Sequence, residues 1–512
     1  MNAIGSRHRH ESRPRTGAGN GSRVVALILL ICISAPARSS NGLNAPGNGT
    51  VQLGMAGAGT AMAEDASATL RNPAAGAWLS NSRSFDLGVA IPDGGFRASE
   101  LGGNAPFGLL DLAPAQSTSV TGFFPVPSFA RNWRINDQFA AGWGLTASGL
   151  ATESGGSTAT LARGVPAFEA RCNGSFGGGQ PLSASTDLLN LCGRSQDKLG
   201  VGLMQVLISG HGAYRISPTL SVGMAPVVAL QLLKTKGLGA FAAFSNEPDR
   251  VTDNGNDFSY GGGIRVGLLW EAMPSVGVGF AYQSRLYTTE FNQYRGTIIG
   301  GSLDFAPTIN VGLQILVAPE QRLLFDIEHI AYSGIRPLAN TVDPQRFTDT
   351  CFVPRLIGRS LPNPQPLDGC LGSADGPGFG WQSVTVYKFG YQGRSGRLSY
   401  RAGYSFGGNP VRSDQALPVA FAPAITDQHA SVGLSWRWSQ RLSVNWALIY
   451  SVANRVSITN ALSNATPTVL QDGTLLGFRV DEDPDDQVID AYLSVWQSQF
   501  GRSKSTRLNS SH

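Results

Sequence analysis

The chain has 512 residues, of which 42% are hydrophobic and only 14% charged, with 64 glycines and a formal net charge of +4. Soluble domains usually carry about 25% charged residues, and so small a net charge gives no footprint for nucleic acid. No run reaches the roughly 20 apolar residues of a spanning helix; that excludes helical membrane proteins but not barrels, whose strands show lipid only every second residue.

In chain order, the first element is an export signal. Arg7, Arg9, Arg13, Arg15 and Arg23 precede an apolar run over 24–33, and Ala35-Pro36-Ala37 follows it. A basic start, a short apolar segment and a small-residue site predict a signal peptide over 1–37, cut after Ala37. Its five arginines and single Glu11 account for the whole net charge, so the mature chain is neutral. Residues 39–80 then show no alternation and are dense in small residues, among them Gly54, Gly57, Gly59, Ala61, Ala66, Ala68 and Ala74. Small side chains pack closely or move easily, and this segment, 38–81, is predicted to fold back as a plug inside a lumen.

From residue 82 the pattern changes to period two. Leu398, Tyr400, Ala402, Tyr404 and Phe406 alternate with small or polar residues, as do Val432, Leu434, Trp436 and Trp438, and then Leu442, Val444, Trp446, Leu448 and Tyr450. Side chains of a strand point alternately to its two faces, so each stretch has one apolar and one polar face. Tight turns fall at Asn136-Asp137, Ser217-Pro218, Met273-Pro274, Pro319-Glu320, 393–396 and 439–441. Those six hairpins, with single strands near 83–91 and 489–500, predict an all-β fold: a transmembrane antiparallel barrel of about 14 strands over 82–500. An even strand number puts both ends on one side, the periplasm for an exported barrel. The long loops, roughly 92–118, 152–198, 236–258, 286–303, 332–380, 408–428 and 452–487, then face outward toward lipopolysaccharide. Trp133, Trp143, Trp270, Trp381, Trp436, Trp438, Trp446 and Trp496 are expected at the headgroup girdles. Residues 501–512 show no apolar alternation and are expected to be a tail outside the barrel.

Cys172 and Cys192 share one long loop, and Cys351 and Cys370 another. Export to an oxidising compartment predicts two loop disulfides; a metal site lacks Cys-x-x-Cys spacing and a nearby His. The acidic run over 481–486 is read as a solvated loop. His211, His329 and His429 have no sequence setting of a catalytic triad, so neither an enzyme, a cofactor nor a metal is expected.

The run Ala56-Gly57-Ala58-Gly59-Thr60-Ala61-Met62-Ala63-Glu64-Asp65-Ala66, followed by Arg71-Asn72-Pro73-Ala74, resembles the FadL family of outer-membrane transporters for long-chain fatty acids and other hydrophobic compounds, TodX-type aromatic channels included. Asn136-Asp137-Gln138-Phe139, Gly142-Trp143-Gly144, the stretch from Ser148 to Glu153, and Gly403-Tyr404 with Asn409-Pro410-Val411 agree with it. The resemblance implies a fourteen-stranded barrel closed by an N-terminal hatch. It also implies capture of ligand in an outer apolar groove, hatch rearrangement and lateral exit through a kinked strand. On this chain Asn72, Pro73 and Ala74, with Glu64 and Asp65, would form the hatch element. Ala147, Ser148, Gly149 and Leu150 are the candidate kink, since glycine permits a bulge. Arg265, Arg285, Arg401, Arg437, Asp326 and Glu328 are candidates to pair with Glu64, Asp65 or Arg71, to receive a carboxylate headgroup, or to line water as a charge ladder. The partners expected are hydrophobic small molecules and outer-membrane lipid, with the protein a monomer; a general porin or a loop-based adhesin is the alternative.

Overall fold

The computed structural model describes residues 41–99, 115–118, 123–155, 198–358, 366–463, 466–469, 475–480 and 486–505. The expected signal 1–37, the Cys172–Cys192 pair, the acidic run over 481–485 and residues 506–512 lie outside the described residues.

Among the described residues fourteen long strands close into one antiparallel barrel. They are β1 Ser82–Ala98, β2 Phe124–Arg134, β3 Phe139–Gly155, β4 Lys198–Ser217, β5 Leu220–Lys236, β6 Asp257–Met273 and β7 Val276–Gln283. The series continues with β8 Thr308–Ala318, β9 Gln321–Ile330, β10 Val384–Ser395, β11 Leu398–Gly407, β12 Gln428–Ser439, β13 Leu442–Asn460 and β14 Gln487–Ser505. Each pairs with its neighbours in sequence, and β14 returns to pair with β1, so no edge is left open. Closure is what lets a sheet stand in lipid, where an unpaired edge has no water to bond.

Alternation decides which side of each strand faces out. On β1, Phe85, Leu87, Val89 and Ile91 are exposed while Ser84, Asp86 and Ala90 between them are buried. On β12, Val432, Leu434, Trp436 and Trp438 face outward, and Ser431, Ser435 and His429 inward. The six tight turns fall where the sequence places them. In the β2–β3 turn the Asn136 side-chain oxygen accepts from the backbone N–H groups of Gln138 and Phe139 at 2.9 and 2.7 Å, a local bond that lets Asn mimic a turn of backbone.

Two expectations need correction. Strand β14 does not stop at Phe500: residues 501–505 pair with Ser82–Asp86 on one side and with Leu442–Asn445 on the other. The barrel therefore runs from 82 to 505. Trp381 is not a girdle residue. It is 3% exposed and stacks edge-on with Tyr332 at 5.3 Å inside the apolar core built by the long loops. Of the two expected disulfides, Cys351–Cys370 is formed, buried in that core beside Phe244, Phe347 and Phe352.

Candidate functional site

The segment from Asn41 to Asn81 touches inward-facing residues of every barrel strand, which places it inside the lumen. Thr50 donates to Asp86 of β1 at 2.5 Å, and Asn132 of β2 donates to the Gly76 carbonyl at 3.2 Å. Ser221 of β5 donates to the Ala74 carbonyl at 3.0 Å, and Ala56 N–H donates to Ser431 of β12 at 2.7 Å. Asp65 caps the short helix Ala66–Leu70 through Ser67 N–H and accepts from Ser503 of β14 at 2.8 Å. Wall glycines make this seating possible. A Cβ on Gly223 would lie 2.4 Å from the Ala74 nitrogen, and one on Gly403 would lie 2.1 Å from the Met55 carbonyl carbon. The plug backbone thus rests directly on the wall, as only glycine permits.

Asn72 sits at the centre of this contact. Its amide nitrogen donates to the carbonyls of Thr60 (2.9 Å) and Leu268 of β6 (3.0 Å), and its oxygen caps Ala74 N–H (3.1 Å). Pro73 fixes φ at the start of the helical turn Pro73–Trp78 and leaves no N–H to satisfy there.

Charge fixes two further points. Glu328 of β9 lies 2.6 Å from the Lys388 ammonium of β10 and 3.6 Å from the Arg71 guanidinium of the plug; Lys388 also donates to the Pro46 carbonyl at 3.1 Å. Nearer the turn end, Glu64 accepts from Arg401 at 2.8 Å and from Gln392 at 2.6 Å. Burial pushes the Glu64 carboxyl up, but Arg401, Arg322, Gln392 and Arg394 together outweigh it and hold it at about 2. A carboxyl depressed on folding contributes its stabilisation above its unfolded pKa, 4.5 here, and loses it only as pH falls toward 2. Glu64→Gln is therefore expected to make the plug more accessible to protease at pH 7 and at pH 5 alike; native-like protection of the variant at both would show that Glu64 does not anchor it.

Two of the cavities that adjoin the plug have largely apolar linings. The first, about 140 Å³, lies among the long loops and is walled by apolar side chains including Leu203, Leu233, Leu338, Phe379, Trp381 and Phe421. The second, about 110 Å³, lies between the start of the plug and the wall at β1, β2 and β3. Leu43 of the plug and Leu150 of β3 line both cavities and form the partition between them. Tyr332 sets Leu43 in place: its hydroxyl accepts from Leu43 N–H at 3.0 Å and donates to the Asn41 carbonyl.

Beside the second cavity the barrel ladder is interrupted. β2 pairs with β3 only from Ser128↔Thr146 to Arg134↔Ala140. Beyond Thr146, β3 stays paired with β4 through Gly155, and β2 stays paired with β1 through Phe124↔Ala90. The sequence of β2 explains this: Pro125 and Pro127 carry no N–H, which a strand tolerates along a free edge.

Residues 30–167 match the profile of a family described as outer membrane protein transport protein (OMPP1/FadL/TodX). Over that stretch the chain resembles this family. The fold agrees with solved FadL-type barrels. A Pseudomonas aeruginosa FadL homologue shares 15% identity with a TM-score of 0.56, over 91% of this chain and 100% of that one. The P. putida toluene transporter TodX shares 13% at 0.55 over 91% and 100%, and the Ralstonia pickettii toluene transporter TbuX 15% at 0.52 over the same shares. No curated protein matches this sequence.

Of the residues that the FadL resemblance assigns to the hatch, Asn72 bonds to β6, Ala74 to β5, Glu64 to β10 and β11, and Asp65 to β14. Ala147, Ser148, Gly149 and Leu150 line the second cavity, but no register shift falls there in the β3–β4 ladder. The discontinuity lies on their β2 side and stems from the β2 prolines rather than from a glycine bulge. Of the lumen charges, Arg401 pairs with Glu64 and Glu328 with Arg71, and Asp326 accepts from the backbone N–H groups of Gly59 and Thr60 at 2.9 Å each. Arg265 donates to the Leu70 carbonyl. Arg285 pairs instead with Asp304 at 2.7 Å, away from the plug. Lys388, the central cation, escaped the sequence reading although its inward position in the β10 alternation marks it.

Proposed function

We propose that the protein is a passive outer-membrane channel for long-chain fatty acids or similar hydrophobic molecules, exported through a signal peptide cut after Ala37 and working as a monomer. Ligand is captured in the loop cavity, passes the Leu43–Leu150 partition as the plug rearranges, and leaves sideways between β2 and β3 into lipid. One observation carries this reading: an apolar cavity shares its lining with a second cavity at the only place where two adjacent long strands part company among the described residues. The energetics favour such a route. Each methylene moved from water to an apolar surrounding gains about 0.8 kcal/mol, so a water-filled pore would reject a long alkyl chain and a sideways apolar one would not. Two of the solved barrels similar to this chain are toluene transporters, which supports a hydrophobic cargo.

Ala151 lines the second cavity. Ala151→Trp is expected to fill it and to lower cellular uptake of a radiolabelled long-chain fatty acid by roughly tenfold, as a blocked pocket should. The heat-dependent gel shift of a folded barrel should remain. Undiminished uptake by a folded variant would rule out the lateral route.

A further inference from the structure

We infer that the cavity beside the β2–β3 gap is a hydrogen-bonding subsite that selects hydrophobic molecules bearing a neutral oxygen (an alcohol, ketone or protonated acid) over plain hydrocarbons. The inference rests on the transport reading and narrows its substrate class. His429 of β12 lines this cavity and is 4% exposed. Its Nδ1 meets the Ser451 hydroxyl at 2.8 Å, which fixes the ring, while Nε2 is buried without a partner. Asn41, at the start of the plug, lines the same cavity and is also 4% exposed. Its backbone carbonyl is taken by Tyr332, but its side-chain nitrogen and oxygen are both buried without partners.

Buried polar atoms nearly always have partners. Three lacking them, on two residues that line one cavity, two atoms from the plug and one from the wall, form a site suited to a polar group. An amide N–H donates, an amide oxygen accepts, and an imidazole nitrogen does either according to tautomer; together they suit a hydroxyl or carbonyl. Among the described residues no charged side chain lines the cavity, so an ionised carboxylate would find no counter-charge in that lining. The partition residues Leu43 and Leu150 border this subsite and the loop cavity alike, so an alkyl chain can lie across them with its oxygen at His429. A hydrocarbon in the same place leaves all three atoms unsatisfied, and a site built for hydrogen bonds discriminates against an analogue that cannot make them.

The test is equilibrium binding of 1-tetradecanol and of tetradecane to the full-length mature protein in detergent, each corrected for its partition into empty micelles. The native protein is expected to prefer the alcohol by about tenfold, on the scale of one or two buried hydrogen bonds. His429→Leu and Asn41→Leu should each cut that preference by roughly fivefold, and His429→Gln, which keeps a polar group there, should retain most of it. Unchanged preference in both leucine variants overturns the proposal, the polar atoms then being served by water. Equal affinity of the native protein for the two ligands overturns it while leaving the transport reading intact. Binding of neither ligand overturns both.

Discussion

A Gly223→Val protein is expected to assemble a normal barrel and to leak. The glycine faces the lumen under the plug backbone, where a Cβ would stand 2.4 Å from the Ala74 nitrogen and 2.5 Å from the Pro73 carbonyl carbon. Those atoms belong to main chain, so no side-chain rotation relieves the overlap. Valine suits a strand, and β5 keeps its register with β4 and β6. The strain therefore falls on the plug. Overpacking of this kind typically costs about 1–3 kcal/mol or more, which raises the unseated fraction roughly five- to a hundredfold. Because a barrel of this strand number is wide once emptied, swelling of liposomes in small sugars should be slow with the native protein and fast with the variant. Equal rates would mean that the plug does not seal the lumen.

Glu328→Gln is expected to release the plug by a different route. The carboxylate stands between Lys388 at 2.6 Å and Arg71 at 3.6 Å, and the side chains of all three are at most 6% exposed. Removing its charge leaves two buried cations facing each other. Breaking a buried ion pair by deleting one partner costs about 3–5 kcal/mol, chiefly because the remaining charge is stranded. The variant should change its gel migration at a lower temperature than the native protein, and its plug should become accessible to protease. Adding Lys388→Met removes one stranded cation and should restore much of the loss. If the single variant keeps both native properties, the triad does not hold the plug.

Much of this architecture was legible because lipid enforces alternation. Phe85, Leu87, Val89 and Ile91, or Val432, Leu434 and Trp436, each declare an outward face, and polar turns such as Asn136-Asp137 punctuate them. The plug was legible as the stretch that lacks alternation, and Asn72-Pro73 as its organising corner. The last turn of β14 was hidden because outward positions at the headgroup level need not be apolar. Gly501, Ser503 and Ser505 continue the inner row, but Arg502 and Lys504 replace hydrophobic residues outside, where long basic side chains reach water along the barrel surface. Trp381 misled because an aromatic beside a strand serves equally as a girdle residue and as the core of a loop cap. The break between β2 and β3 had a signal, the Pro125-Val126-Pro127 spacing, which removes donors along one strand edge, and it begins on β3 at Ala147, beside the candidate Gly149. The Arg71–Glu328–Lys388 cluster could not be assembled from sequence, because only closure of the barrel brings residues so far apart to one point.

Photolabelling tests the central claim most directly. The full-length mature protein in detergent is irradiated with an alkyl diazirine, with and without excess unlabelled hydrocarbon, and the adducts are mapped by mass spectrometry. Hydrophobic cargo that moves through the loop cavity and out beside β3 should give competed adducts on Leu43, Leu150, Phe379 and Phe421, with uncompeted labelling spread over the outer belt. Competed adducts confined to that outer belt, or none at all, would contradict an internal apolar route that opens sideways.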